Sequence, residues 1–62
     1  MKLKNLLKEK DINGAQLGRR LGVSRSLVSL WVTGKAVPTT KAVLKIAEEL
    51  NMPVETIMRC FE

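Results

Sequence analysis

The chain has 62 residues, which is enough for one small core, and folding at this size buries only about 60% of the unfolded chain's surface. We therefore expect a single domain, residues 1–62, without room for a second, catalytic one. Histidine is absent and Cys60 is the single cysteine, so the commonest general base and the soft metal ligands are missing, and we predict no enzyme, cofactor or metal. The formal net charge of +5 favours an anionic macromolecule over a small-molecule substrate.

Neither a targeting segment nor a membrane span is expected. The first residues are basic, but the apolar run is only Leu6 and Leu7 before charge returns, which is too short for a secretory signal. No stretch approaches the roughly 18 apolar residues that a membrane span requires. A single cysteine excludes an internal disulfide framework and fits a reducing compartment. We expect a soluble, cytoplasmic protein with no membrane partner.

The basic residues are concentrated in the first part of the chain. Residues 1–35 contain eight Lys or Arg and two acidic residues, a net charge of +6. Residues 36–62 contain three Lys or Arg and four acidic residues, a net charge of −1. This asymmetry has two interpretations. The N-terminal part binds a polyanion, or it simply has a solvated basic face.

The first predicted helix covers residues 2–10. Its leucines recur at i, i+3 and i+4, as in an amphipathic helix with one buried face, and lysines cover its other faces. These leucines are Leu3, Leu6 and Leu7. Asn13 is the natural N-cap of a second helix over residues 14–21, because its short side chain can accept a hydrogen bond from an amide two or three residues on.

Two glycines indicate how the second helix packs and where it ends. Glycine inside a helix costs about 0.5–1 kcal/mol relative to alanine, so Gly18 predicts a close approach of the next helix. Gly22 can take a positive φ, and Ser24 can cap a third helix that runs from Arg25 to Val32 or Thr33. Two short helices joined by a tight glycine turn form a helix-turn-helix signature. The residues expected to face the core are Leu17, Leu21, Val28 and Trp31, with Leu27 beside them.

The remaining chain predicts a loop and two further helices. Gly34 ends the third helix, Pro38 prevents its continuation, and Thr39 or Thr40 caps a fourth helix that reaches Leu50. The apolar stripe of the fourth helix is Val43, Leu44, Ile46, Ala47 and Leu50. Pro53 suits the first turn of a fifth helix. The apolar face of that helix, which runs to the C-terminus, is Val54, Ile57, Met58 and Phe61. The pattern predicts an all-α fold, a compact bundle of five helices.

These elements resemble the helix-turn-helix family of phage lambda repressor and Cro, also called the Xre-type family, over about residues 3–58. In the unit that begins at Gly14, the family has a small residue, a glycine, a β-branched residue and a large apolar residue at four fixed places. This chain has Gly18, Gly22, Val28 and Trp31 there. The run VSRSLVSLW, then Gly34, Lys35 and Pro38, and then KIAEELN, is similar to the family's usual continuation.

The resemblance implies that the third helix enters the major groove of double-stranded DNA. The base-reading residues it implies are Ser24, Arg25, Ser26, Ser29 and Leu30. Arg25 either bonds two acceptors on a guanine or meets only phosphate, and Leu30 either packs on a thymine methyl or is merely exposed. The phosphate-binding residues it implies are Asn13, Lys35, Thr39, Thr40 and Lys41. Thr39, Thr40 and Lys41 lie at the start of the fourth helix, where the free amides and the positive helix end favour an anion.

The resemblance also implies a Cro-like transcriptional repressor that binds a palindromic operator as a homodimer, without a cofactor. One such domain covers one half-site, and the family commonly pairs through the fifth helix. Met58 and Phe61 are the implied dimer residues, whereas Ile57 is expected to complete the monomer core.

Four departures from the family leave other functions open. Gly14 stands where the family usually has a glutamine that braces a phosphate. Leu27, Leu30 and Val32 replace residues that are commonly polar, which predicts an unusually apolar outer surface on the third helix. Such a surface would suit an antitoxin that meets a toxin, or a protein-interaction adaptor that kept the fold and lost DNA binding.

Overall fold

A computed structural model describes residues 2–62, and within them the regular structure consists of five helices. They are α1 (Leu3–Glu9), α2 (Gly14–Leu21), α3 (Arg25–Val32), α4 (Thr40–Leu50) and α5 (Val54–Arg59). The prediction of an all-α, five-helix fold is confirmed. Two predictions about α5 were wrong. Pro53 is its N-cap and not part of its first turn, and the helix ends at Arg59 instead of continuing to the C-terminus. None of these helices is long and apolar enough to cross a membrane.

The three central helices each begin at a side-chain cap. An oxygen of the cap residue accepts a hydrogen bond from an amide three residues on, which satisfies one of the N–H groups that the first turn leaves unpaired. The bonds are Asn13 Oδ1 with Gln16 N at 2.8 Å, Ser24 Oγ with Leu27 N at 3.1 Å and Thr39 Oγ1 with Ala42 N at 3.2 Å. Of the two threonines considered for the start of α4, the cap is therefore Thr39.

Helices α1 to α4 all end in the same backbone motif. A residue with positive φ follows the helix, and two backbone hydrogen bonds close the last turn, as in a Schellman motif. The residues with positive φ are Asp11 (56°), Gly22 (73°), Gly34 (78°) and Asn51 (54°). After α3, Gly34 N–H donates to the Trp31 carbonyl at 3.3 Å and Lys35 N–H donates to the Leu30 carbonyl at 3.0 Å. These bonds fix Lys35 directly behind the end of α3.

The core is aliphatic apart from Trp31, and within residues 2–62 it contains no buried polar or charged side chain. Its buried members are Leu3, Leu6, Leu7, Leu17, Leu21, Val28, Trp31, Val43, Ile46, Ala47, Leu50 and Ile57. The predicted inner face of the helix-turn-helix is thus confirmed. Leu44 was wrongly placed in the core, because it is 51% exposed. Successive helical residues are rotated by about 100°, which carries Leu44 away from the arc that Val43, Ala47 and Leu50 share.

The chain that enters α3 lies directly on the middle of α2. A Cβ added at Gly18 would stand 2.9 Å from the Val23 carbonyl oxygen and 3.5 Å from the Arg25 nitrogen. Real Cβ atoms almost never approach a neighbour within 3.0 Å, so only glycine fits without movement. The close approach predicted at Gly18 is confirmed, and it seats the first residue of α3 against α2.

Candidate nucleic-acid interface

The outward side of α3 is a continuous exposed surface. Its residues fall within an arc of about 140° on the helix circumference, opposite the buried Val28 and Trp31. They are Arg25, Ser26, Ser29 and Leu30, and the cap residue Ser24 is exposed as well. Leu30 is 41% exposed. All five residues that the resemblance implies for base reading are therefore exposed.

The outer surface of α3 is less apolar than its sequence predicts. Leu27 and Val32 are only half-exposed and pack against the hydrophobic core, because they flank the buried stripe on the helix circumference. Leu27 lies beside the buried stripe, as predicted, and the expectation that Leu27 and Val32 contribute to an apolar outer surface was wrong. Leu30 is left as the one exposed large apolar side chain of α3 among the described residues.

Hydrogen bonds at both ends of α3 hold this surface in place. At the start, Ser24 Oγ accepts from the Leu27 amide, while the hydroxyl proton of Ser24 stays available as a donor. At the end, Thr33 Oγ1 donates to the Ser29 carbonyl at 3.0 Å and lies 3.3 Å from the Leu30 carbonyl. The exposed polar groups of α3 are therefore carried by a helix that is fixed at each terminus.

The predicted phosphate-binding residues are all exposed and belong to three segments next to α2, α3 and α4. Asn13 precedes α2 and Lys35 follows α3, while the start of α4 supplies Thr39, Thr40 and Lys41. The N–H groups of Thr40 and Lys41 precede the first intrahelical hydrogen bond, and they carry the partial positive charge of the helix end. These groups suit an anion at the start of α4.

A residue that the sequence reasoning missed, Gln16, forms a capping box with Asn13. Asn13 N–H donates to Gln16 Oε1 at 2.9 Å, and Gln16 N–H donates to Asn13 Oδ1 at 2.8 Å. Since each side-chain oxygen faces a backbone donor, the two amide NH₂ groups face away from the backbone as free donors. The spacing Asn-x-x-Gln is a variant of the capping-box pattern and could have identified Gln16.

Two arginines lie beside Gln16. Arg19 and Arg20 occupy the last turn of α2, where the negative end of the helix favours cations. Together with Gln16 they line an open depression of about 350 Å³. No acidic residue lies in the first turn of α2, so its exposed side presents hydrogen-bond donors and positive charge.

Gly14 leaves space for a Cβ atom at the start of α2. A Cβ at this position would lie 3.6 Å from Val28 Cγ1, which is an ordinary van der Waals contact. The side-chain amides of Asn13 and Gln16 lie on either side of this position in the sequence and supply donors there.

The fifth helix divides its apolar residues between the core and the surface. Ile57 is completely buried, as expected, whereas Met58 is 56% exposed and Phe61 is half-buried. Met58 and Phe61 line a shallow groove of about 200 Å³ together with Val37, which is 69% exposed in the loop between α3 and α4. Burial raises the pKa of the Cys60 thiol, which donates to the Thr56 carbonyl at 3.4 Å. This thiol fills space next to the core.

The chemistry available on this surface is that of exposed hydrogen-bond donors and cations. Among residues 2–62, no three His, Cys, Asp or Glu side chains are grouped as a metal site requires. The donors occupy the exposed side of α3 and the helix ends next to it. Such an arrangement suits contact with an extended polyanion more than conversion of a small molecule.

Comparison with known protein families identifies a match. A family model described as helix-turn-helix matches residues 3–57 of the 62. Neither the curated proteins nor the solved structures include a significant match to this chain. The matched range includes α1 to α4 and most of α5, and with them every exposed residue of α3 described above.

Proposed function

The chain belongs to the Xre-type helix-turn-helix family of DNA-binding regulators, and from this premise we propose that it is a Cro-like repressor of transcription. In this proposal it acts in the cytoplasm, binds a palindromic operator in double-stranded DNA as a homodimer and needs no cofactor. The observation that carries the proposal is the exposed arc of α3, which presents one arginine, serines and one leucine between flanking groups of cations and free amides.

In the proposed complex α3 lies in the major groove with its N-terminal residues toward the base edges. Arg25 is the main reader, because its guanidinium can donate two parallel hydrogen bonds to the O6 and N7 atoms of a guanine. Ser24, Ser26 and Ser29 donate or accept single hydrogen bonds, and Leu30 packs on a thymine methyl group. A surface with one long polar reader also depends on the shape and deformability of its site.

Phosphate contacts surround this reading surface and set its register. We assign them to Asn13, Lys35, Thr39, Thr40 and Lys41, and we add Gln16, whose NH₂ group is oriented by the capping box. An amide that is already fixed by folding loses little freedom when it binds a phosphate oxygen. Gln16 thus takes part of the role that the family gives to the glutamine at the position of Gly14.

Lys35→Ala is expected to lower the dependence of DNA binding on salt. Each phosphate neutralised by a cation contributes about −0.9 to the slope of log Kobs against log salt concentration, so each subunit should lose about that much. Lys45→Ala is the matched control, because Lys45 is exposed on α4 outside the proposed contacts. A change in sequence preference for Lys35→Ala, instead of a change in slope, would assign Lys35 to base reading.

Gln16→Glu separates phosphate binding from helix capping. A glutamate keeps the oxygen that accepts from Asn13 N–H and places negative charge at the favourable end of α2, so the free energy of unfolding should stay equal or rise slightly. It loses the NH₂ donor and repels phosphate, so DNA affinity should fall about tenfold or more. Asn5→Asp makes the same charge change at an exposed site of α1 and should have a much smaller effect. Equal losses in both variants would mean that Gln16 acts only through net charge.

The homodimer is assigned to the groove around Met58 and Phe61, extended by Val37. This pairing would set two copies of α3 about 34–36 Å apart, one turn of DNA, on a symmetric site.

Selection of sequences from a random duplex pool tests whether the operator is palindromic. We expect a two-fold symmetric motif with half-site centres about 10 base pairs apart. A pool without an enriched motif would contradict sequence-specific binding.

Met58→Ser is expected to abolish cooperative binding to a duplex with two half-sites, while leaving binding to one half-site unchanged. Because Met58 is exposed in the monomer, the stability of the fold should change by less than about 0.5 kcal/mol. Leu44→Ser is the control, since Leu44 is similarly exposed and lies outside this groove. Gel-shift titrations measure the cooperativity. If it persists in Met58→Ser, the dimer surface lies elsewhere.

A further inference from the structure

A second exposed apolar surface lies at the junction of α4 and α5, and among its lining residues only Val54 also borders the groove assigned to the dimer. An open cleft of about 540 Å³ is formed there by Leu44, Ala47, Met52, Pro53 and Val54, with Glu48 on its rim. Leu44 is 51% exposed and Met52 is half-buried. Along α4 the lining begins at Leu44, about 6 Å from Thr40, where the proposed phosphate site lies, and continues away from that site to Glu48.

The rim of this cleft has the opposite charge to the chain as a whole. The chain has a net charge of +5, but residues 46–58 contain three glutamates and neither Lys nor Arg. Glu48 and Glu49 are exposed in the last turn of α4, which has no basic residue. The C-terminal end of a helix disfavours negative charge, so these two carboxylates oppose the local stability of α4. Lys45, three and four residues before them on α4, offsets part of this cost, and a cationic partner would offset more of it.

We propose that the α4–α5 cleft docks a basic amphipathic helix of another protein. The partner's apolar stripe would cover Leu44 and Met52, and its lysines or arginines would lie against Glu48. Charge complementarity selects this occupant, because an acidic rim around an apolar floor attracts a helix that is both basic and apolar. A second copy of this chain does not provide one, since the leucines of its own basic helix α1 are buried in its core.

NMR titration of the ¹⁵N-labelled chain, without DNA, tests this docking independently of the proposed repressor function. The probe is a synthetic peptide of about 15 residues made of leucine and lysine, with leucines at i, i+3, i+4 and i+7. A peptide of the same composition in scrambled order is the control. We expect shifts of the Leu44, Glu48 and Met52 amides with the amphipathic peptide and not with the scrambled one.

Three variants identify the cause of binding. Leu44→Ser should weaken the amphipathic peptide about tenfold through lost apolar contact. Glu48→Lys should weaken it about fivefold or more while raising the stability of the fold, which excludes misfolding as the reason. Glu49→Lys makes the same charge change outside the lining of the cleft and should weaken binding less. Shifts confined to another surface, equal binding of both peptides, or cleft shifts that grow with protein concentration alone would overturn the proposal.

Discussion

Gly18→Ala is expected to destabilise the fold by about 2 kcal/mol, although alanine is the better helix former. The added methyl group would stand 2.9 Å from the Val23 carbonyl oxygen, which belongs to the backbone and cannot rotate away. To make room, the turn between α2 and α3 must move outward. The same movement would shift Arg25, whose nitrogen lies 3.5 Å from that methyl position. DNA affinity should therefore fall together with stability.

Gly14→Ala is the matched control for this effect. It makes the same substitution at the first residue of α2, where the new methyl group would contact Val28 Cγ1 at an ordinary 3.6 Å. Stability should stay equal or rise by a few tenths of a kcal/mol, because alanine restricts the unfolded chain. Urea unfolding of both variants measures the difference. Similar stabilities for the two variants would contradict a close contact at Gly18.

Arg25→Ala is expected to remove discrimination at one base pair of each half-site, at about 1–3 kcal/mol, or roughly 5-fold to 150-fold in affinity. Arg25 is the first residue of α3, where the positive end of the helix disfavours a cation. The helix gains nothing from an arginine there, so the variant should be at least as stable as the original chain. A residue that opposes local stability in this way is a candidate for function.

Affinities for a set of operators with single base-pair changes measure this effect. Arg20→Ala provides the control, because it removes the same charge from an exposed site in the last turn of α2. We expect Arg20→Ala to weaken all operators by the same factor. If Arg25→Ala also weakens all operators by the same factor, the Arg25 guanidinium of the original chain contacts phosphate, and the base-reading assignment is wrong.

The bounds of α2 and α3 could be predicted because both helices carry local signals at their ends. Asn13 and Ser24 are caps whose oxygens reach the backbone three residues on, and Gly22 supplies the positive φ between the helices. The buried face followed from helical spacing, which depends only on the chain itself. Gln16 was equally readable, since its partner Asn13 lies three residues away, but the Asn-x-x-Gln spacing was overlooked.

Side-chain burial next to the core could not be predicted in the same way. Leu44, Leu27 and Val32 all lie beside a buried stripe, and neighbouring helices decide which of them are covered. The structure leaves Leu44 exposed and packs Leu27 and Val32 against the core. This outcome also bears on function. Of the four departures from the family that favoured an antitoxin or an adaptor, Leu27 and Val32 pack against the core of the chain itself. The antitoxin and adaptor alternatives then depend on Gly14 and Leu30.

A titration of the chain against its selected operator at several salt concentrations tests directly whether it binds DNA through phosphate contacts. With Lys35 and Lys41 of both subunits on phosphates, we predict a slope of log Kobs against log salt of about −3.6 or steeper. An affinity that is independent of salt, or no binding even at low salt, would contradict the proposal that this chain is a DNA-binding repressor.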